Sequence, residues 1–205
     1  MTRLLLGTRN EGKIQEVKGL LSDVGLELLT FADVSFSEVP ETGSTFLENA
    51  LLKARAICQE TGCATLSEDA GLEVDALGGA PGVRSARFSG EPVDPNANNL
   101  LLLERLTAGA DRTARFITVA ALCLPDGQTF VTSGTLRGRI GMVMSGAGGF
   151  GYDPLFIPDG FSRTLAEMNL EEKNRLSHRS KALTRMKAIL LDLIRTGELT
   201  DSPVQ

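Results

Sequence analysis

The sequence predicts a mixed α/β fold, and three observations carry that expectation. A short apolar run at Arg3–Leu6 is followed by a polar turn and then by Ile14, Val17, Leu20 and Leu21 at helical spacing, which reads as strand, loop, helix. Residues 114–124 and 128–138 flank Pro125-Asp126-Gly127, a strong turn signal, and read as a long antiparallel hairpin. Near the C-terminus, Leu183, Met186, Ile189, Leu190, Leu193 and Ile194 form one apolar helical face, with Gly197 as a C-cap.

The remaining elements follow in chain order. Residues 25–31 suit a second strand. Thr45 and Glu48 form a T-x-x-E capping box that opens a helix. Phe46, Ala50, Ala54 and Ile57 would be its buried stripe, with Asn49 and Lys53 together on another face. Ala64-Thr65-Leu66 is a short strand expected to end at Glu68-Asp69. Asp94-Pro95-Asn96 starts a helix carrying Leu100, Leu103 and Leu106. Along the hairpin, Phe116, Thr118, Ala120 and Leu122 share a face. Phe156-Ile157 reads as a short strand, and residues 171–176 as a helix. Ser177 is an N-cap that sets His178 and Arg179 in the first turn of the last helix. Residues 1–200 are expected to form one domain, with 201–205 a disordered tail.

Composition narrows the function classes. The chain has 205 residues, 42% hydrophobic and 23% charged, which is ordinary for a soluble globular protein with a substantial core. No apolar run approaches the ~20 residues of a membrane span, and the N-terminus is too short in apolar residues for a secretory signal, so no membrane association is expected. A net charge of −5 argues against nucleic acid as the main partner. Three cysteines without C-x-x-C spacing point to a reducing cytoplasm rather than to zinc or a disulfide framework. With His178 the only histidine, a Ser-His-Asp triad or a multi-histidine metal site is nearly excluded.

Three stretches can carry chemistry. Glu68 and Asp69 are adjacent carboxylates followed by Ala70 and Gly71, with Glu73 and Asp75 close behind. Such a pair suits a hard cation such as Mg²⁺, which takes one or two carboxylates and keeps waters; a solvated acidic turn has the same composition. The run Thr8-Arg9-Asn10-Glu11-Gly12-Lys13 joins strand to helix, where backbone N–H groups and Lys13 can meet phosphate; a plain surface turn is the alternative. Gly7 to Lys13 matches G-x-x-x-x-G-K, but Ile14 stands where a P-loop needs Ser or Thr for Mg²⁺. Glycines around Phe150 in Gly148-Gly149-Phe150-Gly151-Tyr152-Asp153-Pro154 would let the backbone approach a flat ligand, with Phe150 as a stacking face, or simply turn Phe150 into the core.

Ser67-Glu68-Asp69-Ala70-Gly71, Val74-Asp75-Ala76-Leu77-Gly78-Gly79-Ala80-Pro81-Gly82-Val83 and Ser85-Ala86-Arg87 together closely resemble the signature of the inosine triphosphate pyrophosphatase family. Thr8-x-Asn10-x-x-Lys13, Phe150-Gly151-Tyr152-Asp153-Pro154, and Lys173 with Ser177-His178-Arg179 match further family motifs, so the likeness covers nearly the whole chain. The resemblance implies an elongated mixed α/β fold with two lobes flanking a substrate cleft, usually as a homodimer. It also implies Mg²⁺-dependent hydrolysis of non-standard purine nucleoside triphosphates (ITP, dITP, XTP) to monophosphate and pyrophosphate. Asp69 would be general base and metal ligand, with Glu41, and Glu68 in support. Residues 8–13 and Lys53 would hold the triphosphate. Ala70, Phe150, Gly151, Tyr152, Asp153, Lys173, His178 and Arg179 would meet the rest of the substrate.

The chain departs from the family pattern in places. Glu68-Asp69-Ala70-Gly71 stands where Asp-Asp-Ser-Gly is common, and Arg84 and Phe88 where tyrosines are common. The first change keeps a carboxylate with longer reach, and the second removes a hydroxyl. Two other readings stay open from sequence: a P-loop-type NTPase releasing orthophosphate, and a nucleotide sensor without turnover.

Overall fold

The computed structural model describes residues 2–107 and 109–199, so the expected 201–205 tail lies outside the described residues. The strands are β1 (Arg3–Leu6), β2 (Glu27–Leu29), β3 (Thr65–Val74), β4 (Thr113–Cys123), β5 (Thr129–Ile140) and β6 (Phe156–Pro158). The α-helices are α1 (Glu11–Leu21), α2 (Phe46–Thr61), α3 (Pro95–Arg105), α4 (Leu170–Leu176) and α5 (His178–Thr196). The strands hydrogen-bond in the order β2-β1-β3-β4-β5-β6. β1 pairs in parallel with β2 (Leu4 opposite Leu28) and with β3 (Leu5 opposite Thr65), whereas β5 and β6 are antiparallel (Arg139 opposite Ile157). The sheet is therefore mixed, and the fold is α/β as expected.

Contacts divide the chain into two compact units. The first takes the described residues of Met1–Asp69, Thr118–Gly134 and Arg179–Gln205. Its main core joins Leu4 and Leu6 of β1 to Ile14, Val17 and Leu21 of α1 and to Leu183, Met186, Leu190 and Leu193 of α5. The second takes Ala70–Ile117 and Thr135–His178. It packs Leu72, Val74, Leu102, Phe116, Ile140, Leu155 and Phe156 together.

Local chemistry explains the element boundaries. Asn10 caps α1, its Oδ1 accepting from the Lys13 N–H at 3.1 Å. Thr45 and Glu48 close the expected capping box on α2, and Gly62 ends that helix in the left-handed conformation at φ 68°. At the hairpin tip the Leu124 N–H donates to Gln128 O, and at its base Ile140 N–H donates to Arg112 O, so β4 and β5 run antiparallel.

Three expectations need correction. β2 is only three residues long. On α3, Leu102 is fully buried while Leu100 is 51% exposed, because the helix turns Asn98, Asn99 and Leu102 inwards together. The third matters most: β3 does not end at Glu68-Asp69 but runs on through both carboxylates to Val74. Leu72 and Val74 anchor its far half in the second unit's core, and Gly71 does not interrupt it.

Candidate active site

Successive residues of a strand point to opposite faces. Glu68 and Asp69 are mid-strand, so the two adjacent carboxylates take different partners. Both are 5% exposed.

Glu68 faces Arg179, from the first turn of α5. The Arg179 Nε lies 2.9 Å from each Glu68 carboxylate oxygen. Its Nη1 is bonded to Glu16 of α1, and Lys13 Nζ is 3.5 Å from Glu68 Oε1. Glu16, Arg179, Glu68 and Lys13 thus form a string of alternating charge, with Arg179 only 2% exposed. Burial works against the Glu68 charge, but Arg179 and Lys13 outweigh it and hold the carboxyl below the usual glutamate range. Burial also lowers the Lys13 ammonium, against the opposing pull of Glu68.

Asp69 faces α2 and the loop before it. Asn49 Nδ2 donates to Asp69 Oδ2 at 3.0 Å, and Lys53 Nζ is 3.9 Å from Oδ1. Lys53 is also bonded to Glu41. Burial pushes the Asp69 carboxyl up; Lys53 pulls it down, Glu41 adds to the rise, and the net direction is upwards. A carboxylate raised in this way is a better proton acceptor near neutral pH than a solvated one. Lys13 also feels Lys53 and Asp69, so both charge sets act as one electrostatic site within the first unit.

The loop between β1 and α1 brings up the rest of residues 8–13. A Cβ on Gly7 would lie 2.1 Å from Ser67 Oγ, so glycine there lets the end of β1 lie against β3. The Asn10 N–H donates to Thr8 Oγ1 at 3.2 Å. Glu11 is exposed, and Gly12 and Lys13 lie within the first turn of α1. Ile14 is 5% exposed and belongs to the core. Arg9 turns the other way: its guanidinium donates to Phe36 O at 2.5 Å and sits 4.1 Å from the Phe31 ring centre.

The second unit holds the other expected residues. Asp153, 3% exposed, organises the Gly-rich turn by accepting from the Phe150 N–H at 2.9 Å and from Lys173 Nζ at 2.7 Å. Lys173 Nζ lies 4.6 Å from the Phe150 ring centre, a cation–π contact. Gly149 has φ 70°, and a Cβ there would be 2.1 Å from Asp153 Oδ2. Tyr152 donates its hydroxyl to Ser85 O at 2.8 Å and is buried, which raises its pKa. Gly151 O accepts from Asn99 Nδ2 at 2.8 Å. His178 stacks on Phe116 with ring centres 4.8 Å apart and 12° between planes. Ala70 is half-buried on β3.

The structure therefore gathers Lys13, Glu68 and Arg179; Glu41, Lys53 and Asp69; and Phe150, Asp153 and Lys173. Arg9 and Tyr152 are spent on neighbouring backbone. Sequence reasoning missed two residues. Glu16 had a faint signal, one helical turn after Lys13. Asn49 shares a helix face with Lys53, and no local pattern gives it a role. Among the described residues, no group of three or more His, Cys, Asp or Glu side chains could hold a metal ion. Glu41 and Asp69 are two hard carboxylates sharing one cation, Lys53, and that donor set fits Mg²⁺, which needs no more than one or two carboxylates beside substrate phosphates.

Known proteins resemble this chain in sequence and fold. The dITP/XTP pyrophosphatase of Streptomyces avermitilis is 47% identical over 95% of this chain and 100% of its own length. That of Elusimicrobium minutum is 50% identical over 90% of this chain and 97% of its own. Among solved structures, a HAM1 protein from Coxiella burnetii superposes with a TM-score of 0.86 at 36% identity, covering 94% of this chain and 100% of that one. A nucleoside-triphosphatase, dITP/XTP pyrophosphatase, from Mycobacterium abscessus gives a TM-score of 0.74 at 44% identity, covering 90% and 98%. The Ham1 family profile matches residues 4–189, a span that takes in every candidate site residue placed above, and the chain belongs to the Ham1 family.

Proposed function

We propose that this protein hydrolyses non-standard purine nucleoside triphosphates, ITP, dITP and XTP, to the monophosphate and pyrophosphate, so that they are not built into DNA or RNA. The observation that carries this reading is Asp69: a buried carboxylate with a raised pKa, held between Asn49 and Lys53 beside a second carboxylate, Glu41. The names of the relatives, dITP/XTP pyrophosphatase, support the same substrate class.

In the reaction, Asp69 takes a proton from water. The water oxygen bonds to the α-phosphorus, the bridging bond to the β-phosphate breaks, and pyrophosphate leaves with the electron pair. Asp69 and Glu41 would hold Mg²⁺, which when bound offsets charge on the phosphate oxygens. Lys13 and Lys53, with Thr8 and Asn10 at the start of α1, bind the triphosphate and stabilise the charge that builds on it. Glu11 and Gly12 contribute backbone N–H groups of the same turn. Arg179, engaged by Glu16 and Glu68, acts through Lys13, whose partner it holds. Arg9 and Tyr152 shape the flanking loops.

Base choice falls to the second unit. Phe150 stacks on the purine, and Asp153 and Gly151 set its turn. Stacking accepts any purine, so discrimination needs the ring edge. Lys173 can only donate, and His178 can donate. A donor facing position 6 accepts the oxo group of hypoxanthine or xanthine and meets another donor in adenine. Ala70 leaves the substrate loop without the common hydroxyl. We further propose that residues 1–200 act as one catalytic domain, that the enzyme is a homodimer, and that it works in the cytoplasm, where its three buried thiols stay reduced. Among the described residues, no helix is long and apolar enough to cross a membrane.

No second reading is favoured. Ile14 is core, where a P-loop would need a metal-binding hydroxyl, and the Asp69 site is intact, unlike that of a sensor. The test measures pyrophosphate and orthophosphate together for ITP, XTP, dITP, ATP, GTP and the pyrimidine triphosphates. Pyrophosphate should form from the first three with kcat/KM at least ~10²-fold above ATP and GTP, stop with EDTA and return with Mg²⁺. Orthophosphate as the product, or preference for ATP or a pyrimidine, would overturn the reading.

A further inference from the structure

Asn49 sits between two parts of the site that sequence keeps apart. Its Oδ1 accepts from the Gly43 N–H at 2.8 Å, and its Nδ2 donates to Asp69 Oδ2 at 3.0 Å. The residue is 1% exposed. A backbone N–H can only donate, so the amide atom facing Gly43 must be oxygen, and the NH₂ must face Asp69. The amide has one possible orientation, set by the main chain rather than by the carboxylate it serves.

The Gly43 end is built closely. A Cβ on Gly43 would lie 2.7 Å from Asn49 Oδ1, so the loop carrying Glu41 runs against the first turns of α2. The Ser44 N–H donates to Glu48 Oε2 at 2.6 Å, and the Ser44 hydroxyl at 2.8 Å, which pins the same loop a second time. At the other end, the hydrogen bond occupies Oδ2 and directs Oδ1 to the side of Lys53, at 3.9 Å.

We propose that Asn49 is a positioning residue that fixes the Asp69 carboxylate by its Oδ2 and presents Oδ1 as the oxygen that takes the proton from water, while tying the Glu41 loop to the same point. The inference rests on the pyrophosphatase reading above. It assigns the work of two carboxylate oxygens that are equivalent in a free aspartate, and it makes one amide the common reference for Glu41 and Asp69.

The test uses Asn49→Leu, similar in volume with neither hydrogen bond, and Asn49→Ser, too short to reach Asp69, as the milder change should Asn49→Leu fail to fold. Wild type and variant are compared by steady-state hydrolysis of dITP and by crystal structure. The expected result is a kcat 10- to 100-fold lower with KM for dITP within about threefold, because the triphosphate contacts of Lys13 and Asn10 are untouched. In the crystals the Asp69 carboxylate should turn about χ2. A carboxylate that keeps its orientation overturns the proposal whatever the rate, and a turned carboxylate with unchanged kcat overturns its role in proton transfer. If wild type releases no pyrophosphate from dITP or XTP, the functional reading fails, and the carboxylate orientation still decides whether Asn49 holds Asp69.

Discussion

Replacing Arg179 by methionine should leave the volume nearly intact and remove the charge. Glu16 and Glu68 would then be two buried carboxylates, 3% and 5% exposed, that have lost their shared guanidinium, with Lys13, 3.5 Å from Glu68, and a weaker pull from Lys53 in compensation. Breaking a buried pair by removing one partner costs about 3–5 kcal/mol. For a chain of this size 1 kcal/mol shifts Tm by ~2–4 °C, so Arg179→Met should melt about 6–20 °C below wild type at pH 7. The assay is thermal unfolding followed by far-ultraviolet circular dichroism, with calorimetry to confirm a single transition. The sharper test is the double variant. Glu16→Gln alone removes a partner of Arg179 and should destabilise. Added to Arg179→Met it removes an uncompensated charge and should restore part of the loss. A drop below about 3 °C for Arg179→Met, or strict additivity of the two changes, would refute the idea that this string of charges holds α1, β3 and α5 together.

The pH dependence of that loss has a definite sign. Glu68 is held below its ordinary 4.5, so its contribution is fully present above that value and disappears as pH falls through the lowered range; the Tm gap between wild type and Arg179→Met should therefore shrink on acidification, and a gap that stays constant down to strong acid would count against Glu68 as the partner. Asp69→Asn should lower kcat by 10²–10⁴-fold, and a variant keeping more than about a tenth of the wild-type rate is incompatible with Asp69 as the base. The same variant should melt above wild type at pH 7 without metal, because burial disfavours the ionised Asp69 carboxylate in the folded state; an unchanged or lower Tm would contradict that. Lys13→Ala should weaken binding of a triphosphate by about 10- to 150-fold, equivalent to ~1.5–3 kcal/mol, and a monophosphate far less; equal losses by calorimetry would put Lys13 off the phosphates.

Much of this architecture is legible along the chain because its causes are local. Asn10, the Thr45–Glu48 box and Pro125-Asp126-Gly127 each set an element boundary from within a few residues. The site was harder. Glu68 and Asp69 resemble a strand's polar end, and only Arg179, Lys13, Lys53 and Asn49, distant in sequence, make their burial inside a strand tolerable. Glu16 resembles any solvated helix glutamate until Arg179 arrives from 163 residues away. Tyr152 and Arg9 fall inside recognisable motifs, yet their polar groups meet Ser85 O and Phe36 O, partners no local pattern announces.

The uninterrupted run of β3 through Glu68 and Asp69 makes the order of the two residues a kind of handedness. Exchanging them, by Glu68→Asp together with Asp69→Glu, would conserve composition, net charge and the backbone positions that carry the two acids. It would nonetheless shorten the side chain that must span to Arg179 and lengthen the one fitted against Asn49. A slip of one residue along β1 would be worse, sending each acid to the other's cations. What distinguishes a structural acid from a reactive one here is parity, whether a position is odd or even along one strand, and a count of acidic residues does not record it.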